Sequence, residues 1–413
     1  MREPHNSKFV IVSFNKPVLW TRSDDEVWMF NPPRRYILNA NQLGNLEPHI
    51  ESISDLDNSA LYKPLKAGCK LAGTRILVER YRERGLGDLL FLTGPFNYLR
   101  HVTGSDIAVD VYALADRGHV LMEHPAMRFK TTLAGPVHYD DLPLYDYHWM
   151  VPTVSEYDEE ADQLNVYDVL YRQLGFEPAS IDLRFKRPSV QLVDGDTKNL
   201  DQFMFYVYME RKVDLRKTGY YVVAPVANGS LRSAPYSFWI DVIREFSRRR
   251  PTIVVGQMHE RVPPTDMEVG EFNNRLGQMG TNVINMLGMT RAVRVLMAII
   301  SKANCVACLD SGPLYIAQAL RVPAISVWGP HDPMVRIGYD AEYMELAVWN
   351  RPACRYSPCF AYDRFPAHKC PSGEEQRVCP VLEMTEATEV TKKLEAVEAR
   401  SYVLPPAKPG GVS

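Results

Sequence analysis

The chain has 413 residues, 46% of them hydrophobic, which is too long for one ordinary core and suits two domains of roughly 150–200 residues each. Its 47 basic and 50 acidic residues leave a net charge of −3. That excludes a large basic field and wholesale nucleic-acid binding, and leaves room only for a local basic groove. The opening "MREPHNSKFVIVSFN" lacks the basic region and long apolar stretch of a secretory signal. No run approaches the roughly 18 apolar residues of a membrane span, so a soluble cytoplasmic protein is expected.

Residues 1–75 mix aromatics, prolines and asparagines, as in "NKPVLWTRSDDEVWMFNPPRRYILNANQLGNLEP". They are expected to form an N-terminal extension of short strands packed on the first domain. From residue 75 the pattern changes. "TRILVERYR" predicts a strand, a glycine turn follows, and "DLLFLTGPFNYLRHV" has helical spacing. "DIAVDVYAL" and "GHVLMEHP" predict further strands. "NVYDVLYRQLGF" predicts a helix stopped by Gly175. Strands alternating with helices indicate an α/β domain with a largely parallel sheet over 76–208. A more polar stretch, "VDGDTKNLDQFMFYVYMERKVDLRKTG", contains the expected junction.

A second α/β series, 209–384, then runs strand "YYVVAPVA", helix "APYSFWIDVIREFSRRR", strand "PTIVVGQ", strand "TNVINMLG", helix "TRAVRVLMAIISKA", strand "NCVACLD", helix "GPLYIAQAL", strand "VPAISVWGP". A C-terminal helix over 385–402, capped by Thr385 or Thr388, and a disordered tail over 403–413 complete the expected order. Ligands of such sheets bind at the carboxyl ends of strands, so a cleft between two facing domains is the natural site.

Three strand ends of the second series carry chemistry. In "CVACLDSGPLYIAQAL", Asp310, Ser311 and Gly312 form a tight turn and Pro313 opens the next helix, whose free N–H groups suit a phosphate. In "APVANGSLRSAP", Asn228, Gly229, Ser230 and Arg232 give a small-residue loop with a guanidinium that can clamp a diphosphate. In "IVVGQMHERV", Glu260 lies just beyond Gly256 and can accept from ribose hydroxyls. The loop "NMLGMT" places Met286 and Leu287 for a base pocket. Each has an ordinary alternative: a helix cap, a solvated arginine, a surface glutamate, core packing. Their combination in one domain is what points to a nucleotide.

"RGLGDLLFLTGP", "PVANGSLRSAP", "NMLGMT" and "DSGPLYIAQALRVPAISVWGPHDP" together resemble the heptosyltransferase family of GT-B glycosyltransferases, over roughly residues 75–400. The resemblance is most specific at residues 304–333. It implies a GT-B fold, two Rossmann-like α/β domains facing a cleft. The first is then the acceptor side and the second the nucleotide-sugar side. It implies inverting transfer from a nucleotide-diphosphate sugar without an essential metal. Asp88, beside Gly85 and Gly87, matches the family's general base. Asp310, Ser311 and Gly312 match the motif holding donor sugar and diphosphate. Arg232 falls near a phosphate-binding lysine and Glu260 near a ribose-binding glutamate. The sequence departs from the family at Tyr315, where histidine is usual, and at Arg232. An epimerase or hydrolase on the same fold and a non-catalytic nucleotide-sugar-binding protein are the alternatives.

Inversion needs a carboxylate within reach of the acceptor hydroxyl and fixed positive charge for the leaving diphosphate. Asp88 and the Asp310 turn with Arg232 are expected to supply them. The acceptor is left open among a glycan, a protein, a small metabolite and a modified nucleic acid. Cys354, Cys359, Cys370 and Cys379 crowd one late segment. Their C-x4-C, x10, C-x8-C spacing allows a structural zinc, but free or partly buried thiols are the favoured reading. His119, His124, His138 and His148 carry no metal motif; their place in the acceptor half allows acceptor binding, but solvated loop residues are the favoured reading for each.

Overall fold

The computed structural model describes residues 8–23, 26–80, 85–113, 118–121, 124–125, 137–151, 164–227, 230–258, 265–290, 292–359, 370 and 378–400. The described strands are β1 (Phe9–Phe14), β2 (Val18–Ser23), β3 (Glu26–Phe30), β4 (Arg35–Asn39), β5 (Ile50–Asp55), β6 (Thr74–Arg80), β7 (Ile107–Tyr112), β8 (Val137–His138) and β9 (Tyr147–Val151) in the first half. In the second half they are β10 (Tyr221–Ala224), β11 (Thr252–Val254), β12 (Val283–Asn285), β13 (Cys305–Leu309), β14 (Ala324–Val327) and β15 (Ala347–Val348). The described α-helices are α1 (Leu86–Val102), α2 (Val166–Gln173), α3 (Asp194–Arg211), α4 (Leu215–Thr218), α5 (Tyr236–Arg249), α6 (Val269–Gly277), α7 (Val293–Ser301), α8 (Gly312–Leu320), α9 (Met334–Ile337), α10 (Ala341–Glu345), α11 (Pro380–Glu383) and α12 (Ala387–Ala399).

A parallel strand covered on both faces reads as a continuous apolar run. In β6, Ile76, Leu77 and Val78 are all buried, and β10, β13 and β14 are buried along their whole length. β6 pairs in parallel with β7 and β9, in the order β7-β6-β9. One face of this sheet takes α1 and α2, through Ile76 and Val78 against Leu90, Phe91 and Tyr167. The other face takes the antiparallel sheet β5-β1-β4-β8, whose Ile11, Ile37 and Val137 pack with Leu77 and Tyr112. The fold is mixed α/β with parallel sheets.

The six-stranded parallel sheet runs β12-β11-β10-β13-β14-β15. Successive strands move outward on one side of β10 and, after a return to its other side, outward again from β13. The order reverses between β10 and β13, and the carboxyl ends of those two strands flank the crevice where ligands of open α/β sheets bind. The two loops expected to hold the diphosphate follow these strands, and those expected to hold the ribose and base follow β11 and β12.

Several local expectations change. "GHVLMEHP" is not a strand in its described part: His119–Leu121 is a single 3-10 turn. The last helix starts after Glu386, which makes no side-chain cap bond. Thr385 turns its hydroxyl to the Val381 carbonyl and Thr388 to the Glu386 carboxylate, so neither caps. The tail beyond Arg400 lies outside the described residues. Gly175 does end α2, at φ +79°, a conformation in which a side chain would be strained. The polar junction segment folds into α3, which packs on α7. Among the described residues no helix is long and apolar enough to cross a membrane.

Candidate active site

Two helix starts meet, one following β6 and the other following β13. α1 begins after Gly85, with Asp88 in its first turn and half-buried. α8 begins after Ser311, at the end of β13. Their glycines interlock. A Cβ on Gly87 would lie 2.5 Å from Cδ2 of Tyr315 in α8, and a Cβ on Gly312 would lie 2.9 Å from Cδ2 of Leu86. Neither glycine has a positive φ, so what each supplies is room. A Cβ on Gly85 would run into the Asp88 carboxylate, which therefore lies back over the turn that starts the helix.

Asp310 is 8% exposed, and both its carboxylate oxygens are engaged within the protein. The Tyr315 hydroxyl donates to Oδ1, and Nδ1 of His331 lies 3.0 Å from Oδ2. Burial pushes the Asp310 carboxyl up, but the His331 hydrogen bond and the charges of His331, Arg336 and Arg232 outweigh it and hold the group well below its ordinary value. Burial, followed by the Asp310 charge, keeps Tyr315 protonated far above its ordinary value, so its hydroxyl is the donor. Tyr315, His331 and Arg336 are 3%, 1% and 3% exposed. The Tyr315 ring stands 4.5 Å from that of Phe91 in α1, edge-on, and the Arg336 guanidinium is 5.9 Å from the same Phe91 ring.

Ser311 occupies the N-cap position but makes no cap bond; its hydroxyl turns to the Leu309 carbonyl at 3.3 Å. Pro313 sits in the first turn, as expected. Side chains therefore do not explain this turn as a simple cap, and Asp310 fastens it to α8 and to the loop after β14. Arg232 ends a 3-10 turn, Ser230–Arg232, beyond β10, half-buried and close enough for its charge to act on Asp310. The backbone of Ser230 belongs to this turn, whereas Asn228, Gly229 and Glu260 lie outside the described residues. Leu287 is 7% exposed and packs in the core beside Gly256, and Met286 is partly buried against the other core cluster. The loops after β11 and β12 are tied by Gly288 N–H to Gly256 carbonyl at 2.9 Å.

His331 and Arg336 were not singled out by the sequence. His331 stood in the quoted "WGPHDP", but as a turn residue 21 positions from Asp310 it gave no sign of meeting it. Among the described residues the other histidines do not gather into a site, and two of those read as solvated, His124 and His148, are instead buried. His124 is buried with its pKa lowered to about 4, by burial first and then by Arg100. His148 is buried, its Nε2 3.3 Å from Glu79. Cys379 is pushed up to about 12 by burial, with smaller contributions from Cys359 and Cys370. Among the described residues no group of three or more His, Cys, Asp or Glu side chains is placed to hold a metal ion, so the zinc allowed by the spacing of Cys354, Cys359, Cys370 and Cys379 gains no support.

Residues 156–363 match the family described as Glycosyltransferase family 9 (heptosyltransferase). Among solved structures, the chain is similar to ADP-heptose LPS heptosyltransferase II of E. coli, with 13% identity and a TM-score of 0.55 over 79% of this chain and 99% of that one. It is also similar to a family 9 glycosyl transferase of Veillonella parvula DSM 2008, with 14% identity and a TM-score of 0.53 over 80% and 99%. A third is TibC of enterotoxigenic E. coli H10407, described as an iron-containing dodecameric glycosyltransferase, with 12% identity and a TM-score of 0.52 over 96% and 92%. TibC has also been solved in complex with ADP-D-β-D-heptose. At these identities the likeness shows the fold. A search of curated proteins found no match.

Proposed function

Given that the chain belongs to glycosyltransferase family 9, the heptosyltransferases, we propose that this glycosyltransferase moves a sugar from a nucleotide diphosphate to an acceptor hydroxyl by one inverting displacement, with Asp88 as general base. The observation that carries the proposal is the contact of Gly87 with Tyr315. It supports the reading because it sets the start of α1, where Asp88 lies, against α8, the helix that follows the Asp310 turn. The family match begins after α1, so the role of Asp88 rests on this position and on the sequence resemblance.

In the proposed reaction the acceptor hydroxyl gives its proton to Asp88 as its oxygen bonds the anomeric carbon. The bond from that carbon to the diphosphate breaks on the opposite face, and the nucleoside diphosphate leaves with the electron pair. Charge growing on the leaving group is met by Arg232, by the first-turn N–H groups of α8 and by the neighbouring cations around Asp310. These fixed charges support a reaction without an essential metal. Asn228, Ser230 and Gly229 would complete the diphosphate loop, Glu260 the ribose contact, and Met286 with Leu287 the base side. The soluble, cytoplasmic placement and a glycan acceptor belong to the same proposal.

ADP-heptose is the first donor to try, because TibC was solved with it. Turnover is read as ADP release, with water or an added glycan as acceptor. Asp88→Asn keeps the size and polarity of the side chain and should leave folding and donor-induced thermal stabilisation intact. It should lower kcat by about 10²–10⁴-fold, the usual worth of general-base catalysis. Wild-type turnover in Asp88→Asn would remove the base. A product with the donor's own anomeric configuration would remove the single displacement. Turnover abolished by EDTA and restored by a divalent ion would remove the metal-independent step.

A further inference from the structure

The contact between α1 and α8 does more than bring two domains together. Tyr315 reaches across from the donor-side sheet and its ring fills the space left by the missing side chain of Gly87. Three things fix that ring. Its hydroxyl is bonded to Asp310, its ring packs edge-to-face with that of Phe91 at a 65° interplanar angle, and only 3% of the residue is exposed. Asp310 is itself fixed by His331, at 3.0 Å. A rigid stop on the donor side thus bears on the turn of α1 that carries Asp88.

We propose that Tyr315 is a positioning residue of the transfer reaction: seated on Asp310 and His331, it sets how closely the Asp88 turn approaches the donor turn at Ser311 and Gly312. This rests on the proposed role of Asp88. Tyr315 touches neither reacting atom and acts through Gly87 and Asp88. The reciprocal contact of Gly312 with Leu86 makes the fit sensitive from both sides. A pinned ring cannot swing away as a flexible side-chain end would, so added bulk at position 87 must move the helix start.

The test combines two substitutions. Gly87→Ala adds one methyl against the ring. A misplacement on the order of 1 Å can cost about 10²-fold in rate, so kcat for ADP-heptose should fall at least about tenfold, while the ADP dissociation constant stays within about twofold. Tyr315→Ala removes the stop and should itself lower kcat by at least about threefold, and adding Gly87→Ala to it should cost no more than about a further threefold, because both changes act through one contact. Tyr315→Phe keeps the ring and should retain most of the wild-type kcat. Unfolding midpoints for all four variants separate misfolding from misplacement. Normal kcat in a folded Gly87→Ala or a folded Tyr315→Ala, or losses that multiply in the double variant, would overturn the positioning role. Full activity in Asp88→Asn would instead overturn the reading beneath it, so the two failures are told apart.

Discussion

At Asp310 the place in the chain was legible and the partners were not. It stands at the end of a buried strand before a helix, where the proposed function needs a ligand-side turn. What it binds depends on Tyr315 five residues on and His331 across the next strand, and that pairing appears only once β14 lies beside β13. The two partners and the neighbouring arginines favour the ionised form, and this has a thermodynamic consequence. The folded carboxyl titrates below its ordinary value of 3.8. Its stabilisation is therefore complete above roughly pH 4 and is lost as pH falls through the lower, folded value. Asp310→Asn should be less stable than wild type near neutrality, with the gap narrowing below about pH 4. Unfolding free energies of both proteins against pH would show this, and a gap that stays constant into acid would exclude the coupling.

The elements divide by how much of each strand is buried. β10, β13 and β14 are covered on both faces, so their sequences are largely apolar runs, with Ser326 the polar exception, and their succession along the chain was legible. β5 buries almost nothing, and β1 and β4 alternate with turns and 3-10 segments, so the four-stranded antiparallel sheet did not announce itself beyond short strands. α1 was legible as a helix despite Gly94 and Pro95, yet its glycine has a reason that only packing reveals. A Cβ on Gly94 would meet the Phe185 carbonyl and come within 2.8 Å of the Tyr167 ring. Alanine normally gains about 1 kcal/mol over glycine inside a helix. Here the backbone of Phe185 cannot yield cheaply, so Gly94→Ala should destabilise the protein by about 1–3 kcal/mol. Denaturant unfolding at constant slope would measure it, and a stabilised Gly94→Ala would mean that the helix shifts freely.

At the scale of the whole molecule, the two parallel sheets share one continuous apolar cluster, which runs from Ile76 and Leu90 through Met204 to Met297 and Tyr315. Two polar joints cross it. Asp168 in α2 holds Lys186 at 2.9 Å and accepts from the Tyr339 hydroxyl at 2.5 Å. Arg294 in α7, 9% exposed, forks onto both oxygens of Asp196 in α3 and donates to the Gln191 carbonyl at 3.0 Å. Asp196 also accepts from the Val193 N–H at 2.8 Å, closing the start of α3. Arg294→Met would leave a buried carboxylate without its cation, which typically costs about 3–5 kcal/mol. Adding Asp196→Asn removes the stranded charge while its amide oxygen keeps the Val193 bond, so the double variant should regain most of the loss. Unfolding of the single and double variants measures the coupling between them. Losses that simply add would mean that Arg294 and Asp196 act independently. Recovery in the double variant would assign the cost to an uncompensated charge at the seam between the sheets, the same seam where α1 packs on α8.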